Sequence, residues 1–168
     1  MKPIYVAIGS HCHIALLFRH LGLQDRRVTY PLDFYASHDL VRALPFLVYY
    51  DANYGNEIIF DYEERNELCL KSKKYDIASV HITKTLTDTT RREVQMKYQF
   101  DQARCQQGVR NASHVFFVRR ERHKMSPEKS RAFPQTMEKA NVMLSRFCGH
   151  SNFSVIYFSR HLTLENAA

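Results

Sequence analysis

The stretch Ile4-Tyr5-Val6-Ala7-Ile8-Gly9-Ser10-His11-Cys12-His13-Ile14-Ala15-Leu16-Leu17-Phe18-Arg19-His20-Leu21 decides how the chain is read. Ile4 to Ile8 form an apolar strand, Gly9 and Ser10 supply a turn with Ser10 able to cap the next helix, and Ile14, Leu17, Phe18 and Leu21 share one face of that helix. Gly22 is the expected stop. Cys12 then lies at a helix N-terminus, where aligned peptide dipoles and unpaired N–H groups favour a thiolate and make a cysteine nucleophilic. His11 and His13 add to that field when protonated.

Outward from this unit, strands and helices alternate. Val28 to Tyr30 reads as a short strand halted by Pro31, and Ser37 as the cap of a helix over about 38–49, kinked or shortened by Pro45. Two strands at 57–62 and 67–71 suggest a hairpin, and 75–82 a further strand ending near His81. Asp88 or Thr89 starts a polar helix to about Gly108. Val115-Phe116-Phe117-Val118 is too continuously apolar to be half solvated, which places it centrally in a sheet. Phe133, Met137, Ala140, Leu144 and Phe147 recur at helical spacing up to Gly149, and Val155 to Phe158 is the last strand. This order predicts a single-domain α/β layered fold over residues 1–168, a mixed sheet with helices packed on its faces.

Bulk composition excludes several classes. With 168 residues, 45% hydrophobic and 24% charged, the chain has the balance of a globular domain, and no apolar run approaches the ~20 residues of a membrane span. Residues 1–3 lead directly into a strand, so a cytoplasmic location is the expectation. Cys12, Cys69, Cys105 and Cys148 form no C-x-x-C pair, which points to free thiols. The net charge of +7 comes with a basic cluster that includes Arg119, Arg120, Arg122 and Lys124, read as a solvated loop available to an acidic partner. No nucleic-acid motif accompanies it, and no Gly-rich phosphate loop supports a nucleotide cofactor. His11-Cys12-His13 contains zinc-ligating types, but adjacent residues rarely share one ion and no partner set stands at metal spacing, so no metal or other cofactor is expected.

A cysteine hydrolase needs a thiolate, a histidine to hold and return a proton, a group that orients the histidine, and N–H donors for the oxyanion. Cys12 is the candidate nucleophile, with N–H groups at the helix start as donors and Ser10, His11 and His13 lining the site. Residues adjacent on a helix point about 100° apart, so His81, at a strand end, is the better base. Asp33, after Pro31-Leu32, is the chosen orienting acid, with Asp76 and Asp88 as alternatives.

Gly9-Ser10-His11-Cys12, then Leu21-Gly22-Leu23, then Pro31-Leu32-Asp33-Phe34 resemble the opening of a mostly bacterial family of papain-like cysteine peptidases, which reads Gly-Ser-Asn-Cys, Leu-Gly-Leu and Pro-Phe-Asp-Trp. The segment ending at His81 and the helix before Val115-Phe116-Phe117-Val118-Arg119 extend the likeness to about residue 120. It implies Cys12 as nucleophile, His81 as base, Asp33 as a site residue, and a peptide or isopeptide bond as target. His11 replaces the family's asparagine, which removes an amide donor, and Phe34 replaces its tryptophan.

Each residue also has a plainer reading. Cys12 is able to serve as a small apolar packing residue, His81 to bond a backbone carbonyl, and Asp33 to cap the turn after Pro31. The corresponding alternative function is an inactive α/β binding module whose basic surface holds an acidic protein or nucleic acid.

Overall fold

The computed structural model describes residues 2–9, 12–56, 59–64, 67–83, 87–121 and 125–158; for 59–64, 67–69 and 80–83 the description is of the backbone. The elements run β1 (Ile4–Ala7), α1 (His13–His20), β2 (Ala36–Ser37), α2 (Leu40–Val48), β3 (Ile59–Glu64), β4 (Glu67–Ser72), β5 (Ile77–Thr83), α3 (Asp88–Arg110), β6 (Val115–Arg120), α4 (Pro127–Cys148) and β7 (Phe153–Phe158). This is the α/β layered fold expected, with one difference in its sheets. Parallel and antiparallel strands do not share a mixed sheet: β1-β6-β7 form a parallel sheet and β2-β5-β4-β3 an antiparallel one.

Strand β6 is central in the parallel sheet, as its unbroken apolar run requires. Alternation along β1 and β6 divides the side chains between two layers. Ala7 and Val118 face α1, packing with Ile14, Ala15 and Phe18; Val6, Ile8, Val115 and Phe117 face the other way, into the core shared with Val109 of α3 and Ala140, Leu144 and Phe147 of α4. The inner stripe of α1 is thus Ile14, Ala15 and Phe18 rather than the expected Leu17 and Leu21, which are exposed. Ala15, with no side chain beyond Cβ, packs in the same buried cluster as Ala7.

Local capping corrects several boundaries. Ser37 does not cap α2; it belongs to β2, and the cap is Asp39, whose carboxylate accepts from Arg42 N at 3.1 Å. Pro45 sits inside α2, which continues to Val48. Thr87 rather than Asp88 or Thr89 caps α3, and the helix runs past Gly108 to Arg110. No strand forms at Val28 to Tyr30, which is loop leading into a turn. Helix α4 begins earlier than its apolar stripe, with Ser126 as cap and Pro127 in the first turn, and ends at Gly149 in the left-handed region (φ 71°).

Arg119 adds a polar tie between the two sheets where they share the apolar core. Arg119 is fully buried, and its Nη1 donates to Ile8 O (3.1 Å) and Ser37 Oγ (2.9 Å), its Nη2 to Ser37 O (3.1 Å) and its Nε to Glu121 Oε1 (2.7 Å). Glu121 in turn accepts from Tyr157 OH at 2.6 Å. The guanidinium therefore ties the end of β1 and the end of β6 to β2. Gly9 follows Ile8 with φ +74°, and a Cβ there would stand 3.0 Å from Ser37 Oγ and 3.3 Å from Arg119 Nη1, so both conformation and space call for glycine. The expected basic surface is corrected accordingly: Arg119 is interior, Arg120 is exposed as the last residue of β6, and Arg122 and Lys124 lie outside the described residues.

Candidate functional site

Helix α1 starts at Cys12, which occupies the cap position without a side-chain capping bond and whose carbonyl accepts from Leu16 N at 3.0 Å. Cys12 is partly exposed and lies, with Leu16, on the rim of a cavity of about 450 Å³. Sites that hold small organic molecules span ~300–1,000 Å³, so the space is adequate for one ring-sized group or a short chain.

The wall beside α1 is Thr29, Tyr30, Pro31 and Phe34. Asp33 builds it. This carboxylate is fully buried, and its Oδ2 accepts from Tyr30 N (2.9 Å), Gln24 Nε2 (2.7 Å) and Arg19 Nη2 (3.3 Å), while Oδ1 has no partner among the described residues. Arg19 Nη2 also reaches Val28 O at 2.9 Å, and its guanidinium covers the Phe34 ring at 4.7 Å. One oxygen thus holds the turn and fastens the end of α1 to it. Burial pushes the Asp33 carboxyl up to about 6, against the opposing pull of the Tyr30 N–H, Gln24 and Arg19.

The inner end is formed by Tyr35, Phe46 of α2 and Ser79 of β5. Phe46 is the hub of an aromatic cluster, stacked on Tyr98 (centroids 4.4 Å) and edge-on to Tyr54 (4.6 Å) and Tyr35 (5.3 Å). Two of the lining tyrosines have their hydroxyls bonded to other groups, Tyr35 to Tyr54 OH (2.8 Å) and Tyr98 to Phe46 O (3.1 Å) and Tyr49 O (3.0 Å). The Ser79 hydroxyl differs: it is fully buried and has no hydrogen-bond partner among the described residues. Helix α3 closes the far side with Val94, Tyr98 and the ion pair of Lys97 with Asp101. Burial raises the Asp101 carboxyl above its ordinary range despite that pair.

Of the predicted site residues, Cys12 stands at the cavity rim and Asp33 behind its wall, where every side-chain hydrogen bond that Asp33 makes among the described residues goes to Arg19, Gln24 or Tyr30. This is the turn-capping arrangement. His81 lies on β5, two residues beyond Ser79, and its side chain is outside the description; Ser10 and His11 are also outside the described residues. His13 is the exposed first residue of α1. Asp76, in the turn before β5 with φ 51°, accepts from His38 N (3.2 Å) and Asp39 N (2.9 Å), and Asp88 is exposed at the start of α3. Sequence reasoning missed Ser79, Phe46 and Tyr98, because residues on three separate elements converge only once α2, β5 and α3 are packed.

Among the described residues there is no group of three His, Cys, Asp or Glu able to hold a metal ion, and no helix long and apolar enough to cross a membrane. The chain matches no protein-family model, no curated protein and no solved structure.

Proposed function

We infer that the protein is a cysteine hydrolase acting on an amide, peptide or isopeptide bond, with Cys12 as its nucleophile. The observation that carries this reading is the position of Cys12: a partly exposed thiol at the start of a helix, on the lip of an apolar cavity large enough for part of a substrate. The likeness of Gly9 to Cys12 and Pro31 to Phe34 to papain-like peptidases supports it independently. In the reaction, Cys12 Sγ bonds to the acyl carbon as a histidine takes the thiol proton. The C–N bond then breaks and the amine leaves with that proton. Water, deprotonated by the same histidine, hydrolyses the thioester and restores the thiol. His81 is the base in this scheme, and N–H groups of the first turn of α1 receive the oxyanion. Asp33 acts at one remove, as the residue that holds the turn and the end of α1. Cys105 and Cys148 are free cysteines, which suits a reducing, cytoplasmic setting.

The test is the alkylation rate of Cys12 by iodoacetamide at pH 7, read by peptide mass spectrometry in the folded chain and in the chain unfolded in urea. Folding should accelerate Cys12 several-fold although it reduces its exposure, and His81→Ala should remove the acceleration. A folded rate at or below the unfolded one ends the nucleophile reading.

A further inference from the structure

The cavity beneath Cys12 opens at one end and closes at the other. Leu16 and Lys97, whose side chain is 58% exposed, stand with the partly exposed Cys12 where it meets solvent; Phe46, at 1%, lies at its buried end. The lining is mainly apolar, with Pro31 and Val94 among its members, and the hydroxyls of Tyr35 and Tyr98 are engaged with protein groups. Its volume of about 450 Å³ is three times the ~150 Å³ of a protein cavity that takes one benzene molecule. A single apolar side chain of a peptide, the size of leucine or phenylalanine, would leave more than half of this space unfilled and forfeit the contacts its walls offer. On the benzene scale of ~25 Å³ per carbon, a hydrocarbon chain of roughly 10–16 carbons fills it.

Charge at the mouth selects the other end of the occupant. Lys97, Asp101 and Arg104 follow one another on α3 at steps of four and three, which places them on one face of the helix. Lys97 pairs with Asp101, and Arg27, two residues before Thr29 of the wall, pairs with Asp25. Arg104 gives its hydrogen bond to a neutral group, Arg27 O at 3.3 Å, and covers the exposed Phe100 ring at 4.3 Å. Its charge is felt by both Tyr30 and Asp101 of the lining. Taken together these five charged groups are net positive.

We propose that the cavity holds the unbranched hydrocarbon chain of an N-acyl amide, with the acyl carbon at the rim beside Cys12 and an anionic amine portion outside, near Arg104. This rests on the hydrolase reading and narrows it: of the bonds that reading admits, it selects the amide of an N-acyl amino acid. Cys12 Sγ bonds to the acyl carbon, the C–N bond breaks and the amino acid leaves with the thiol proton. Water then cleaves the thioester, releasing the fatty acid and restoring the thiol.

The probes are N-acylglycines with acyl chains of six, eight, ten and twelve carbons, each an amide with one carboxylate, and binding to the full chain carrying Cys12→Ser is read by calorimetry. Affinity should rise about three- to fourfold per added methylene through the twelve-carbon compound. Affinity independent of length, or a rise that stops at eight carbons as in a site of side-chain size, overturns the proposal. Dodecyltrimethylammonium, a twelve-carbon chain with a cationic head, should bind about tenfold more weakly than N-dodecanoylglycine, and Arg104→Gln should narrow that gap. Equal binding of the two heads also overturns it. Val94→Phe, which takes up space inside, should weaken the twelve-carbon compound more than the six-carbon one, and the length series stands without this variant should it fail to fold. The wild-type chain should release glycine from N-dodecanoylglycine. Length-dependent binding without release refutes the hydrolase reading and supports the chain site; release without length dependence does the opposite.

Discussion

Replacing Arg119 by methionine tests how much one guanidinium adds to the shared apolar core in holding β2 against the ends of β1 and β6. The substitution keeps much of the side-chain volume and removes four hydrogen bonds: to Ile8 O, Ser37 Oγ, Ser37 O and Glu121 Oε1. Ile8 is fully buried and Ser37 is 5% exposed, so their oxygens lose a partner where water does not readily replace it. Glu121, only partly buried, keeps Tyr157. Removing one member of a buried, hydrogen-bonded charge pair costs about 3–5 kcal/mol, more than a surface ion pair at ~0–1 kcal/mol, and the higher figure applies because Arg119 has no exposure. For a chain of this size that is a fall in Tm of roughly 6–20 °C. Arg119→Lys keeps the charge, but one ammonium does not reproduce a fork that spans Glu121 on one side and Ser37 O on the other, and about half the loss should remain. Urea unfolding followed by far-ultraviolet circular dichroism measures both variants, and amide exchange locates the damage, which should be faster at Ala36 and Ser37 than at Phe117. A cost under about 1 kcal/mol for methionine, or full recovery with lysine, would refute the bridging role.

Asp33 gives a pH dependence with a definite sign. Its folded carboxyl titrates at about 6, above the ordinary 3.8, so the folded chain holds the proton more tightly; the resulting stability is fully present below about 3.8 and is lost as pH rises through about 6. Relative to Asp33→Asn, the wild type should gain about 2 kcal/mol on going from pH 7 to pH 4 in denaturant titrations, and a wild type that weakens instead would mean that the Arg19 pairing outweighs burial. Gly9→Ala and Gly22→Ala separate conformation from crowding. Both glycines have φ near +70°, but a Cβ at Gly22 meets nothing within 4 Å, so Gly22→Ala should cost about 1 kcal/mol and Gly9→Ala more; equal unfolding midpoints would contradict the Ser37 contact. Phe46→Ala empties the hub of the aromatic cluster and should cost about 3–5 kcal/mol, a loss that Phe46→Leu largely restores; thermal denaturation of the two variants decides, and equal losses would assign the role to ring stacking rather than volume.

The features readable along the chain were those whose causes are local. Gly9 turns β1 into α1 within a few residues, the run from Val115 to Val118 states its own burial, and the spacing from Ala140 to Phe147 is a helix face wherever it packs. Arg119 could not be read this way. It follows an apolar strand in a basic cluster and looks solvated, and acceptors 82 and 111 residues away draw it inward. Ser37 illustrates the same limit, since a good helix cap was claimed by that distant guanidinium and the cap passed to Asp39. For the candidate site, Cys12 at a helix start was visible, and so was a turn use for Asp33. The cavity was not, because Tyr35, Phe46, Ser79 and Tyr98 have no shared period and meet only through tertiary packing.

A seam crossed by a guanidinium fork differs in kind from one closed by paired strands. A ladder between strands is written in main-chain atoms, which every amino acid supplies, so its residues are free to drift while the pairing persists. Where β2 meets the ends of β1 and β6, the polar connection is written in a side chain, and the identity of one residue sets the hydrogen bonds made there.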